Sequence, residues 1–272
     1  MDAFAQAFEH VVELERAGNY QEAFNALQAM AQTFPQSAPV RTHIAAILLI
    51  WEKTQEALSM YDQALQLDAR DAYAWEGKAR CLFSLERSKE ALAAADQALA
   101  LKPHLPEALC VKGQVLAASD DARSLNSALA YFDQVLRLNP NHASAMIGKA
   151  KTFSVMGRYD DALMAGQRAV QLNPNSTVAW RVCAISQWER REFDAALYSL
   201  DRAFQLGADD DGIWTLQGGI LRNKYAFVRD PNLLDRAIAA FDRALAHNPS
   251  DRETLKEVIK ARQECVTLRR RA

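Results

Sequence analysis

Seven alanines recur along this chain at a nearly constant interval: Ala23, Ala57, Ala91, Ala128, Ala162, Ala196 and Ala237, separated by 34, 34, 37, 34, 34 and 41 residues. Twelve residues after each comes Pro35, Ala69, Pro103, Pro140, Pro174, Ala208 or Pro249, so five of the seven units close on a residue that cannot continue a helix. A fixed period of this length means that each unit is one supersecondary element, able to bury its apolar face only against its neighbours. The chain is therefore expected to fold as an array whose core grows in one dimension, and to act through a surface instead of an enclosed pocket.

The third unit shows how one element is built. Trp75, Ala79 and Leu82 recur at helical spacing, a polar turn follows at Glu86, Arg87 and Ser88, and then Ala91, Leu92, Ala95, Ala98, Leu99 and Leu101 recur at three and four before Pro103. Two antiparallel helices are the reading. Seven residues after the anchor alanine a second small or compact residue returns, as Ala64, Ala98, Val135, Ala169, Ala203 and Ala244, so close helix contact is encoded twice per unit.

Trp75, Trp180 and Trp214 open the first helix of their units, with Leu109 and Met146 as apolar substitutes. Gly113 and Gly218 follow, replaced elsewhere by Ala79, Ala150 and Ala184; Gly18 with Tyr20 and Gly157 with Tyr159 mark the turn, and Phe132 and Phe241 the later aromatic. This set resembles the tetratricopeptide repeat, a helix-turn-helix of about 34 residues with that order of Trp, Gly, Tyr, Ala, Phe and Pro. The resemblance implies an all-α fold, a right-handed superhelical solenoid of antiparallel helix pairs, in a single domain over residues 1–272. Its repeats fall at about 4–36, 37–70, 71–104, 105–141, 142–175, 176–209 and 210–250, with a capping helix at about 251–271 whose apolar side is Leu255, Val258, Ile259 and Val266. Ala7 and Arg41 depart from the aromatic position. The wider intervals place insertions around residues 119–123 and 225–232, in the turn inside a helix pair, either as tolerated spacers or as contact loops.

The net charge of -2 gives no basic footprint for a phosphate backbone, so nucleic acid is not an expected partner. The longest apolar run, Ile44 to Trp51, is far short of the roughly 20 residues that span a bilayer, and the first residues lack the pattern of an export signal. Cys81, Cys110, Cys183 and Cys265 have no paired spacing and read as reduced thiols of a cytoplasmic protein. Residues that repeat in every unit serve the scaffold, and this comparison of the chain with itself removes tempting sites. Asp62, Asp96, Asp133, Asp201 and Asp242 all stand five residues after their anchors and are structural or solvated positions, not catalytic acids. The five histidines lack metal-ligand spacing and read as loop residues, the Asp209-Asp210-Asp211 run reads as a helix cap, and no phosphate loop or nucleophile elbow is present. No catalytic residue, cofactor or metal is expected.

In the tetratricopeptide family the concave side, lined by the first helix of each pair, binds peptide segments. Helical geometry places Leu49, Tyr73, Glu76, Arg80, Phe83 and Gln114 on that face in the front half, and Lys151, Arg181, Ile185, Trp188 and Arg222 in the rear half. Gly77, Gly148 and Gly219 share it and leave room for a ligand backbone. The reading is a non-catalytic adaptor, its ligand an acidic or C-terminal segment with an apolar anchor lying across Lys151, Arg181 and Trp188. The full Lys and Asn set with which some family members hold heat-shock chaperone tails is absent. A recruiting or regulatory subunit of an enzyme is one alternative. Another is a self-associating scaffold, favoured by Phe4 and Phe8 if they are left uncovered. Light scattering over a concentration series separates adaptor from scaffold, because a stable monomer excludes the latter.

Overall fold

The computed structural model describes residues 3–119, 121–247, 249 and 252–271. Asp120 of the first expected insertion and Asp251 at the start of the expected capping helix lie outside them. Among the described residues there are fifteen α-helices and no strand. They are α1 (Ala3–Arg16), α2 (Tyr20–Thr33), α3 (Ala38–Ile50), α4 (Thr54–Leu67), α5 (Ala72–Ser84), α6 (Ser88–Leu101), α7 (Pro106–Ala117) and α8 (Ala122–Leu138), then α9 (Ala143–Val155), α10 (Tyr159–Leu172), α11 (Thr177–Glu189), α12 (Phe193–Gln205), α13 (Asp211–Val228), α14 (Pro231–Ala246) and α15 (Arg252–Arg271). Odd and even helices through α14 pair as hairpins, and the chain divides into two compact bodies, residues 1–140 and 141–272.

Both bodies are assembled by the same contacts. Each second helix touches its own first helix and the first helix of the following hairpin. First helices also touch one another, α3 with α5 and α5 with α7 in one body, α9 with α11 and α11 with α13 in the other, whereas no two second helices of a body are in contact. The first helices thus form the closely spaced inner layer of each body, and the second helices fan out behind them. All seven anchor alanines are fully buried, as are Ala64, Ala98, Val135, Ala169, Ala203 and Ala244. A larger side chain at any of them would push two helices apart, which is why the period is written in alanine.

Other signature residues have equally local reasons. The indole N–H of Trp75 donates to the Ala69 carbonyl at 3.0 Å, that of Trp180 to the Pro174 carbonyl at 2.9 Å and that of Trp214 to Asp209 at 2.6 Å, so each tryptophan latches its helix to the loop arriving from the preceding hairpin. The turn inside a hairpin needs one left-handed residue, supplied by Gly18 and Gly157 without strain and by Glu52, Glu86 and Arg191 at φ of 60° to 64°. Asp62 and Asp96 reach forward to Lys78 (2.6 Å) and Lys112 (2.7 Å) on the next first helix, and Asp242 pairs with Arg262 of α15. The recurrent aspartate is therefore a tie between successive elements.

The two insertions are not loops. The first lengthens α8 to 17 residues against 14 in α2, α4, α6 and α10, and the second lengthens α13 to 18 and α14 to 16, leaving Arg229 and Asp230 as the link between them. Extra residues extend the helices because each added turn satisfies its own backbone hydrogen bonds, which a bare loop would leave to water. At the end of the chain α15 packs on α14 and α13 through Val258 and Cys265; Leu255 and Val266 are half-buried, but Ile259 faces solvent. Phe4 and Phe8 are covered by their own chain: Phe4 stacks on Phe8 and meets Phe34 edge-on at 5.0 Å, and Phe8 meets the His43 ring at 4.9 Å.

Gly113 and Gly218 are required because Phe132 and Phe241, both buried, lie across them; a Cβ at Gly218 would fall 2.6 Å from Cε1 of Phe241. Gly218→Ala is expected to lower stability by about 1–2 kcal/mol in urea denaturation, since overpacking of roughly 1–3 kcal/mol outweighs the gain of about 1 kcal/mol in helix propensity. Combining it with Phe241→Leu is expected to cost less than the sum of the single changes, because the clash is then gone.

Candidate functional site

The inner layer of the N-terminal body carries a cleft of about 790 Å³. Its walls are the exposed sides of α1, α3 and α5, with Phe8, Pro39, Thr42 and His43 on one flank, Tyr73, Glu76 and Arg80 on the other, and Arg70, Leu101 and Lys102 at the rim. The flanks are built by repetition, because Pro39, Thr42 and His43 stand one 34-residue period before Tyr73, Glu76 and Gly77. Each position on α3 therefore faces its counterpart on α5.

The geometry of the cleft is held by contacts across that period. Asp71 caps α5, accepting from the backbone N–H of Tyr73 at 2.9 Å and of Ala74 at 3.1 Å, while its other oxygen accepts from Thr42 Oγ1 at 2.7 Å. One carboxylate thereby starts α5 and pins it to α3. His43 Nδ1 lies 2.8 Å from Glu15 and ties α3 to α1; it sits within a helix, not in a loop as its sequence context suggested. Lys102 donates to the Tyr73 hydroxyl, which steadies a ring that is 54% exposed. Tyr61 closes the base, buried enough to push its phenol pKa well above the usual range.

Charge in the cleft is unevenly committed. Asp68 accepts from the Arg70 N–H at 2.9 Å and Asp71 is engaged as above, whereas the Arg70 and Arg80 guanidinium groups enter no ion pair among the described residues. The cleft accordingly presents uncompensated positive charge beside aromatic surface, an arrangement suited to a carboxylate-bearing ligand with an apolar side chain.

Of the residues chosen from sequence in this half, Tyr73, Glu76 and Arg80 come together in the cleft. Leu49 and Phe83 are half-buried against the core of the same body, and Gln114 is half-buried outside the cleft. Phe8, Pro39, Thr42 and His43 were missed although the period points to them, and Arg70 and Lys102 were missed because they lie between hairpins, outside the helical face considered.

In the C-terminal body the chosen residues are more engaged. Arg181 pairs with Asp210, the cap of α13, at 2.9 Å, and Arg222 pairs with Glu264 of α15 at 3.0 Å. Ile185 and Trp188 are half-buried against the core, and Lys151 is exposed with no ion pair among the described residues. The glycines of this face do not leave the expected room. A Cβ on Gly77 would fall 2.0 Å from Tyr61 Cζ, and one on Gly219 would fall 3.1 Å from the Trp188 ring, so these positions seat the chain's own aromatics; Gly148 is buried and its carbonyl accepts from Thr152. The four thiols are buried as well: burial pushes Cys81 and Cys183 up to about 11 and raises Cys110 and Cys265, so none is a nucleophile near neutrality.

The tetratricopeptide repeat family matches residues 52–106 and 118–177. Protein CTR9 homolog of Arabidopsis thaliana is 30% identical over 108 residues, 39% of this chain and 10% of that protein, so the chain spans about a tenth of the length of this curated relative. Among solved structures, a tetratricopeptide repeat protein from Parabacteroides merdae is similar over 97% of this chain and 100% of its own, at 20% identity and a TM-score of 0.61. The Cut9–Hcn1 hetero-tetramer of APC/C contains a chain similar over 93% of this one and 48% of its own, at 17% identity and a TM-score of 0.76. PilW, a type IV pilus biogenesis factor, is similar over 81% and 98%, at 18% identity and 0.64. At these identities the likeness is one of fold. No helix among the described residues is long and apolar enough to cross a membrane.

Asp71→Ala is expected to lower stability by about 1–2 kcal/mol through loss of the cap and of the tie to Thr42. Thr42→Val is expected to cost less once Asp71 is already Ala, and a double-mutant cycle by urea denaturation measures the difference.

Proposed function

This chain belongs to the tetratricopeptide repeat family, and we propose that it is a non-catalytic adaptor holding a segment of another protein against the first-helix layer of its hairpins. The fold is that of a protein-protein interaction adaptor or scaffold, and Cut9–Hcn1 is an assembly that contains the same fold. The observation that carries the reading is the cleft of about 790 Å³ between Phe8 and Tyr73, with Arg70 and Arg80 free of ion pairs. An apolar side chain of the ligand enters between the two aromatic rings, and carboxylates beside it meet Arg70, Arg80 and Lys102. A short segment bound this way reaches about micromolar affinity, roughly 8 kcal/mol, and exceeds it only through a second contact.

Lys151, Arg181, Ile185, Trp188 and Arg222 are proposed as that second contact on the C-terminal body. Arg181 and Arg222 already serve Asp210 and Glu264, so a ligand carboxylate there shares a charge that is partly neutralised. The N-terminal cleft is accordingly the stronger seat. Buried, unpaired cysteines are consistent with a cytoplasmic protein. The covering of Phe4 and Phe8 leaves the self-associating scaffold without the uncovered aromatics that favoured it.

Affinity purification with mass spectrometry, run with groove variants, tests the proposal. Tyr73→Ala with Arg80→Glu is expected to reduce partner recovery by about tenfold or more, and Trp188→Ala with Arg181→Glu by less. Unchanged recovery with both double variants, each with the parent's helical circular dichroism, would falsify it.

A further inference from the structure

The 18-residue α13 outruns the 13-residue first helices α3, α5, α9 and α11, and its added turn carries Ala226, Phe227 and Val228 past the end of the hairpin layer. There it lies beside the turn between α11 and α12: Phe227 meets Phe193 at 5.4 Å between ring centroids, and the Arg191 guanidinium stands 5.6 Å from the Phe227 ring. Trp188, Phe193 and Phe227 line a shallow groove of about 310 Å³, with Asn223 among its walls. Phe227 is 60% exposed and the adjacent Val228 57%, in a body whose other α13 apolar residues are buried or half-buried. No other first helix is lengthened in this way, so the scaffold does not require these residues.

Two polar features say what the groove accepts. Trp75, Trp180 and Trp214 donate their indole N–H to the chain, but neither the Trp188 indole nor the Asn223 amide has a protein acceptor among the described residues, and no buried polar side-chain atom there lacks a partner. Both donors are thus open to solvent beside the aromatic rings. The rim carries Arg191 and Arg229, which contact the Phe227 and Tyr225 rings and enter no ion pair among the described residues. Helices and paired strands have already used their backbone carbonyls. An extended polyproline segment has all of its carbonyls free, loses little entropy on binding and packs its rings flat on aromatic faces. Charge complementarity with the two arginines adds a carboxylate next to the prolines.

We propose that the groove between α13 and the α11–α12 turn is a second docking site, separate from the N-terminal cleft, and takes a proline-rich segment flanked by acidic residues from a partner protein. Trp188 supplies a ring and a donor to a ligand carbonyl, Phe227 supplies the exposed ring, and Arg191 and Arg229 read the flanking acid.

The test is fluorescence anisotropy on the whole chain with a panel of labelled proline-rich peptides ending in two aspartates, alongside counterparts with Pro→Ala or Asp→Lys changes. At least one proline-rich peptide is expected to bind with a Kd below about 1 mM, its alanine counterpart at least about tenfold more weakly. Phe227→Ser is expected to weaken it about tenfold, and Trp188→Phe, which keeps a ring over Gly219 and removes the donor, by a smaller factor. Tyr73→Ala with Arg80→Glu is expected to leave this binding unchanged, so failure here and failure of the N-terminal cleft are read separately. Absence of binding across the panel, equal binding of proline and alanine peptides, or full binding by Phe227→Ser overturns the proposal. So does a concentration-dependent dimer that Phe227→Ser abolishes, which would assign the patch to a second copy of the chain.

Discussion

Close approach of paired helices at fully buried alanines is the constraint from which the rest of this structure follows. Where Ala23, Ala57 and their counterparts meet the facing helix there is room for one methyl group, and the hairpin angle, the spacing of first helices and the placement of every outward side chain are inherited from that contact. The larger core residues then fit around it. Gly113 and Gly218 extend the same economy of volume by yielding space to Phe132 and Phe241. No single contact of this kind is strong. Their repetition, each hairpin completing the core of the next, is what makes a marginal element stable.

Repetition also separates scaffold from function. The recurrent aspartate becomes an ion pair to the next element, the recurrent tryptophan a latch on the incoming loop and the recurrent turn residue a left-handed backbone position. Once these are assigned, the remaining side chains are few and local. In the N-terminal body they gather around a cleft whose acids are used internally and whose arginines are not. In the C-terminal body they gather at the overhanging end of α13.

The two bodies dispose of similar residue types in different ways. Arg80 stands open at the cleft, whereas Arg181, one of the cations most attractive in the sequence, is held by Asp210 at the start of the next helix. Trp188 is shared between two duties, its ring resting on Gly219 while its indole N–H stays accessible. A residue at a groove position is therefore no measure of its availability. What matters is whether another part of the chain has already satisfied it.

Sequence alone determined the helical hairpin, its period and the residues of its contact, because an alanine every 34 residues and a closing proline are local signals that only one kind of packing satisfies. It also determined that Tyr73, Glu76 and Arg80 share a face, since 3.6-residue geometry fixes that. Tertiary structure decided the rest. Whether residues added near 225–232 form a loop or continue α13, whether Gly77 leaves room for a ligand or for Tyr61, and which arginines keep their charge free all depend on side chains that arrive from neighbouring hairpins. Those encounters are set by distance in space, and a one-dimensional period carries no record of them.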